Sequence, residues 1–230
     1  MAQLAFARFA AATFAVSLGF FLYHYLYLFG MPDGADSPWL SALVNVFLFT
    51  SFAAHHSIFA RTRAKELVTA MVPAALERAV YTLVASVLFA LVVWLWQPVP
   101  GTAWTLHGPW RAAAYAVQVA GIVLTIVGAR ALDVWELAGV RQVSGGERKP
   151  VVLQTHGLYG FVRHPLYFAW VLLVFGAPHM TMTRLLFATI STAYLAIAIP
   201  FEERSLIETF GPEYASYQKQ VRWRMLPGLY

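Results

Sequence analysis

The sequence predicts an all-α, polytopic membrane protein of about six transmembrane helices, closed by a C-terminal helical hairpin and a cytoplasmic tail helix. Three observations lead there. First, 60% of the 230 residues are hydrophobic and only 12% are charged, whereas soluble domains average roughly 45–50% and 25%. Second, the apolar residues gather in stretches near the roughly 20 residues that cross a hydrocarbon core. Third, Lys and Arg segregate into alternate loops. A soluble domain of this length has too little interior for so much apolar surface, which excludes an ordinary cytosolic enzyme, a secreted disulfide scaffold and a disordered tail. With no Cys in the chain, thiolate metal sites and a cysteine nucleophile are excluded too.

The first apolar stretch runs from about Leu4 to Gly30, broken only by Arg8 and His24. It is longer than a signal-peptide core and has no cleavage-site pattern. The second runs from Pro38 to Ala60 and carries His55 and His56 near its end. The third covers Ala79 to Trp96 and the fourth Ala112 to Ala131. Pro165–Ala177 and Arg184–Phe201 form a tight pair joined by Pro178–Thr183. The first of that pair is short for a span and calls for tilt, thinning or shelter by neighbours. With no repeats or linkers, the chain reads as one domain, with N-terminal helices in 1–131 and a functional core in 132–230.

With both termini placed in the cytoplasm, every Lys and Arg except Arg111 and Arg184 falls on the inner side, fourteen of sixteen. That matches the positive-inside rule and expects a multi-pass protein of the cell's inner membrane. It also accounts for the net charge of +5 without nucleic acid, for which phosphate-binding and base-stacking motifs are absent.

The same topology gathers the polar residues on the inner side. Two runs stand out there: Leu153-Gln154-Thr155-His156-Gly157-Leu158-Tyr159, continuing to Arg163-His164-Pro165-Leu166-Tyr167, and Glu202-Glu203 with Phe210-Gly211-Pro212-Glu213-Tyr214 and Tyr217 beyond. The hairpin returns one run beside the other, so Arg163, His164 and Tyr167 are expected to face Glu202 and Glu203. Pro165 suits the first turn of a helix. Two adjacent carboxylates directly after an apolar stretch are costly at that depth, and the offsetting cation is either Arg163 or a ligand. Phe210, Tyr214, Tyr217 and Val221 follow helical spacing and are expected to pack against the membrane face. His24 and the His55-His56 pair differ in depth by about 20 Å at 1.5 Å per residue, too far to ligate one haem iron. No dinucleotide, zinc-protease or P-loop motif occurs, and no metal site is expected.

The C-terminal half resembles the isoprenylcysteine carboxyl methyltransferase superfamily. The residues that carry the resemblance are Gly157-Leu158-Tyr159, Arg163-His164-Pro165-Leu166-Tyr167 and the run from Glu202-Glu203 through Leu206, Phe210-Gly211, Tyr214, Tyr217 and Val221. Where family sequences usually follow that valine with Pro-Arg, this chain has Arg222-Trp223-Arg224. The first half is similar to the NnrU-like branch, which includes the methanethiol S-methyltransferases. It matches there through His55–Arg61, Glu77-Arg78 with Tyr81, Trp94 to Pro98, and Gly139–Val143. Many members have Gln where His55 or His56 stands.

The resemblance implies an S-adenosylmethionine-dependent methyltransferase with a cofactor site outside any Rossmann sheet. The residues it points to are Gln142, Val151, Val152, Leu153, Gln154, Tyr159, His164, Pro165, Leu166, Tyr167, Glu202 and Glu203. The residue types agree. Glu202 offers a counter-charge to the ligand's ammonium and sulfonium, Tyr159 or Tyr167 offers a cation–π face, and Arg163 suits the ligand carboxylate. Arg163, His164 and His56 are the candidate catalytic residues. For a base, His55, His56 and His164 stand equal, each also readable as an interfacial hydrogen-bonding residue. The acceptor implied is a small or lipophilic thiol such as methanethiol. The alternatives are an isoprenylcysteine-type carboxylate and a non-enzymatic accessory role in nitrogen-oxide metabolism. The lipid bilayer and the acceptor are the expected partners; no obligate protein partner is inferred.

Overall fold

The computed structural model describes residues 1–31, 34, 37–59, 68–130, 134–145 and 152–230. In chain order the elements are α1 (Ala2–Leu26), α2 (Pro38–Phe59), α3 (Glu77–Trp94), β1 (Thr102–Thr105), α4 (Gly108–Arg130), α5 (Val134–Leu137), α6 (Val140–Val143), α7 (Pro165–Phe175), β2 (His179–Thr181), α8 (Met182–Phe210) and α9 (Pro212–Gln220). Among the described residues five stretches are long and apolar enough to cross a membrane: Ala2–Gly30, Pro38–Phe59, Ala74–Trp94, Gly108–Arg130 and Met182–Phe210. The protein is a multi-pass, all-α membrane protein. The sixth apolar stretch folds as α7, of only 11 residues. At 1.5 Å rise per residue it spans about half a hydrocarbon core.

The chain forms two compact units, the first comprising Met1–Gly101, Leu132–Lys149 and Thr181–Thr183. Here α1 packs on α3 through Ala7, Ala10 and Ala79, all fully buried, with Phe6, Leu83, Val140 and Val143 around them. Small side chains let helices approach closely where lipid supplies no hydrophobic drive for association. Gly139 enters α6 with φ +82°, and a Cβ there would strike the backbone nitrogen of Ala79. Both facts require glycine. Several polar groups of this unit find partners, as a low-dielectric setting favours. Buried Asn45 donates from Nδ2 to the Gln97 carbonyl at 2.8 Å and accepts the Gln97 N–H at 2.7 Å. Thr183 Oγ1 accepts the Val99 N–H at 2.9 Å, and the Thr181 hydroxyl donates to the Phe29 carbonyl.

The second unit comprises Thr102–Ala131, Pro150–Met180 and Arg184–Tyr230. The helices α4 and α7 touch backbone to backbone at Gly121, where a Cβ would lie 2.5 Å from the Leu173 nitrogen. Gln118 of α4 is buried and donates from Nε2 to the Leu173 carbonyl at 3.1 Å, one of the carbonyls α7 leaves open at its last turn. The strands β1 and β2 form a two-stranded ribbon, and Trp104 Nε1 donates to the Ala177 carbonyl at 3.1 Å. Helix α8 has 29 residues and contains Pro200. It is longer than a span needs, and its last third carries the acidic pair and leads into α9.

Candidate functional site

The polar core of the second unit is built on the entry to α7. Pro165 opens the helix with His164 as its N-cap, so the missing Pro N–H falls where no helical partner exists. Arg163 and His164 are thereby held just outside the helix. Their N–H groups donate to the carbonyls of Trp223 at 2.9 Å and Arg224 at 2.8 Å. The segment beyond α9 therefore runs alongside the motif as a backbone partner.

The two glutamates, adjacent in sequence, meet different surroundings. Glu203 is 3% exposed and receives Arg163 Nε on Oε1 at 2.6 Å and Arg224 Nε on Oε2 at 3.1 Å. Gln218 Nε2 adds a bond to Oε2 at 3.3 Å. Arg163 is itself buried, and its Nη1 donates to the carbonyls of Val221 at 2.7 Å and Arg222 at 2.9 Å. Glu202 is 44% exposed and accepts the Tyr167 hydroxyl on Oε2 at 2.8 Å. Between them stands His164, Nδ1 3.5 Å from Glu202 and Nε2 3.5 Å from Glu203. Its ring is stacked on Tyr167 at 5.3 Å between centroids and 8° between planes. The cation question left open by the sequence has a split answer: Arg163 serves Glu203, and Glu202 keeps its charge toward the surface.

The tyrosines around this core stay neutral. Burial, followed by the charge of Glu202, raises the Tyr159 phenol above its ordinary pKa. Burial pushes Tyr217 up to about 12 against the opposing pull of Arg163, and burial with the Glu203 charge raises Tyr214. Tyr217 donates its hydroxyl to the Tyr159 carbonyl at 2.6 Å. Burial works against the Arg224 charge, but Glu203 and Tyr230 outweigh it and raise its pKa.

Other expected site residues fall as follows. Val151 lies outside the described residues. Val152 and Gln154 are exposed. Leu153 packs, with Leu206 and Phe210, against buried Tyr214, Tyr217 and Val221. Those three aromatic and aliphatic residues thus pack on protein, not on a membrane face. The Leu166 side chain lies at Gly128 of α4, and Pro165 lines an apolar cavity of about 240 Å³ with Leu124, Leu158, Phe161, Val162 and Phe168. Gln142 and His56 belong to the first unit. There Gln142 Nε2 donates to the Glu136 carbonyl at 3.1 Å, while its Oε1 is buried without a hydrogen bond. His56 Nδ1 and the Tyr81 hydroxyl are 2.9 Å apart, the same hydroxyl reaches the His56 carbonyl at 3.2 Å, and the Arg78 guanidinium lies 5.5 Å from the Tyr81 ring centroid. Among the described residues no group of His, Asp and Glu is placed to hold a metal ion.

The family described as "Protein of unknown function (DUF1295)" matches residues 57–221. Methanethiol S-methyltransferase 1 of Bradyrhizobium diazoefficiens is 37% identical over 197 residues, 83% of this chain and 69% of its own length. Methanethiol S-methyltransferase of Pseudomonas deceptionensis is 38% identical over 210 residues, 87% of this chain and 80% of that protein. The chain belongs to the DUF1295 family. A more distant relative, the protein-S-isoprenylcysteine O-methyltransferase of Dictyostelium discoideum, is 33% identical over 87 residues, 36% of each chain. These matches set this DUF1295 protein within the isoprenylcysteine methyltransferase-like superfamily. No solved structure matches.

The site residues of this DUF1295 member suit a cationic ligand. Glu202 offers a carboxylate at the surface beside the stacked rings of His164 and Tyr167. Two further polar atoms, His164 Nε2 and the Tyr214 hydroxyl, are buried without a hydrogen-bond partner. His164 Nε2 lies 3.5 Å from Glu203, and buried polar atoms without a partner mark where an ordered water or a ligand atom belongs. The resemblance points to Glu202 as the counter-charge, but the residue pattern by itself does not reveal that Glu203 is buried against two arginines or that Arg222–Tyr230 folds back onto the motif.

Proposed function

We propose that this protein is an inner-membrane S-adenosylmethionine-dependent S-methyltransferase acting on a small or lipophilic thiol such as methanethiol, the acceptor in its relatives' names. The observation that carries the reading is the division of labour in the acidic pair. Glu203 is neutralised internally by two arginines, and Glu202 stands exposed beside two aromatic rings. That suits an ammonium or sulfonium: a counter-charge and a π-face together favour a cation over its neutral product.

The bound donor supplies a methyl group already activated on sulfonium sulfur. The residues then bind, orient and exclude water. Glu202 and Tyr159 with Tyr167 hold the cationic part; His164 and Val152–Gln154 line the rest of the site. Arg163 and Glu203 keep that geometry rigid. In the first unit His56, paired with Tyr81, is the residue proposed to accept a thiol proton, and Gln142 keeps an unpaired carbonyl oxygen. We read the chain as one domain in sequence, since it passes between the two compact units five times, once within α8. Both termini are cytoplasmic, as the inner-side placement of fourteen basic residues argues.

The test is calorimetric titration of the detergent-solubilised protein with S-adenosylhomocysteine, followed by methyl transfer from labelled donor. Methanethiol, a longer alkanethiol and a farnesylcysteine analogue are assayed in parallel. Micromolar binding and labelling of the thiols is expected. Labelling of the farnesylcysteine carboxylate alone would move the protein to the carboxyl O-methylating class.

A further inference from the structure

Beyond α9 the chain has no helix, yet it is bonded at every few residues to the donor site. The carbonyls of Val221 and Arg222 accept Arg163 Nη1. The carbonyls of Trp223 and Arg224 accept the N–H groups of Arg163 and His164. Arg224 then sends Nε to Glu203 at 3.1 Å and Nη1 to the Tyr230 hydroxyl at 3.3 Å. The N–H groups of Arg224, Met225 and Leu226 all converge on the Tyr230 carbonyl oxygen at 2.9–3.1 Å.

A second attachment follows from Pro200. Proline has no N–H, so in α8 the carbonyl four residues earlier, that of Ala196, loses its helical donor. The Tyr230 hydroxyl donates to that carbonyl at 3.1 Å. The segment is thus tied to α8 on both sides of the proline, at Ala196 and at Glu203, while its middle pairs with the backbone of His164.

We propose that Val221–Tyr230 is a strap that builds the donor site, with Arg224 a positioning residue acting through Glu203 on His164. The inference rests on the proposed donor reading. A carboxylate on a Glu turns freely about its last torsion. Arg163 fixes Oε1, and Arg224 with Gln218 fixes Oε2, so the plane of Glu203 is set from both ends. That plane faces His164 Nε2 on one side of the imidazole, as Glu202 faces Nδ1 on the other. Arg224 is 36% exposed, so its removal leaves no buried cation behind. What it removes is one of the two cations on a buried carboxylate, together with the tether to Tyr230.

The experiment uses the full chain in detergent, with Arg224→Gln, Arg224→Lys and the control Arg222→Gln. The Arg222 side chain is exposed and rests on Trp223, 5.0 Å from its ring. Three readouts are taken: the Kd of S-adenosylhomocysteine, the separate kcat and KM for donor and thiol, and hydrogen exchange of a peptide covering 158–168 without ligand. The expected result for Arg224→Gln is a roughly tenfold rise in Kd and in donor KM, with kcat and thiol KM within about twofold. Arg224→Lys recovers most of the loss, Arg222→Gln behaves as the parent, and exchange at 163–164 quickens while α4 is unchanged. Parent-like binding by Arg224→Gln, or exchange quickened uniformly along the chain, overturns the proposal. Local quickening with no analogue bound by the parent protein overturns the donor reading and supports the strap's hold on His164.

Discussion

Each unit contains a histidine beside a tyrosine, and the two pairs are built with opposite charge. In the first, His56 shares a hydrogen bond with Tyr81, His55 is stacked on Phe59 at 4.6 Å, and the nearby charge is the Arg78 guanidinium. In the second, His164 stands between two carboxylates and Tyr167 donates to one of them. A cation beside an imidazole and a phenol favours anions, such as a thiolate. Carboxylates beside a stacked imidazole and phenol favour cations, such as a sulfonium. The same two residue types therefore serve opposite ligands according to the charge set next to them.

The largest effect expected from breaking this contrast comes at Arg163. Arg163→Ala strands Glu203 in a 3%-exposed site with Arg224 as its remaining cation, and removes the donors to Val221 and Arg222. Breaking a buried pair from one side costs about 3–5 kcal/mol, enough to unfold the second unit; loss of its cooperative melting in detergent is the readout. A melting curve like the parent's would show that Glu203 does not depend on Arg163.

Glu202→Gln comes next. It leaves the buried pair untouched and keeps an acceptor for Tyr167, so melting should hold. The lost charge-assisted contact is worth about 1.5–3 kcal/mol, read as a roughly 10- to 100-fold weaker Kd for S-adenosylmethionine. The analogous test in the first unit is His56→Gln. It should leave donor affinity unchanged and lower thiol turnover at pH 7 by about 30-fold or more, because a simple alkanethiol is a weaker acid than Cys (pKa about 8.5) and is therefore ionised to less than about 3% there. The deficit should shrink as the pH approaches 9. Weaker donor binding in His56→Gln, or an equal deficit at both pH values, would erase the contrast between the pairs.

The sequence disclosed the spans, the hairpin and the meeting of Arg163, His164 and Tyr167 with the acidic pair, because hydropathy and a short hairpin loop fix depth and adjacency. The resemblance singled out Glu202, but the residue pattern did not disclose what Glu203 does. Consecutive residues on a helix diverge by about 100°, and only the packed surroundings show that Glu203 turns inward. The shortness of α7 was legible between Pro165 and Pro178, whereas its backbone contact with α4 at Gly121 and Gly176 was not. Tyr214 and Tyr217 carried the right helical spacing, but spacing names a face and not its partner, which is Leu153 with Leu206 and Phe210. The departure at Arg222-Trp223-Arg224 looked like loss of a family feature. The fold shows an arginine there that reaches Glu203.

The smallest effect sharpens the contrast through the phenols. Tyr81 shares its hydroxyl with an imidazole, whereas Tyr217 gives its own to the Tyr159 carbonyl at 2.6 Å inside a buried cluster. Tyr217→Phe keeps the ring and loses that bond, at a cost of about 1 kcal/mol. The pH dependence has a definite sign. Burial raises the Tyr217 phenol to about 12 in the folded protein, against an unfolded value of about 10. The folded state therefore holds a proton that the unfolded chain releases between those values, and the phenol's contribution, full below pH 10, drains away as the pH climbs to about 12. The parent protein should melt higher than Tyr217→Phe at pH 8, and the gap between them should close between pH 10 and 12, because the variant has no such proton to lose. Melting in detergent at half-unit steps measures it. A gap that stays constant to pH 12 would mean that the Tyr217 hydroxyl is not held neutral by the fold.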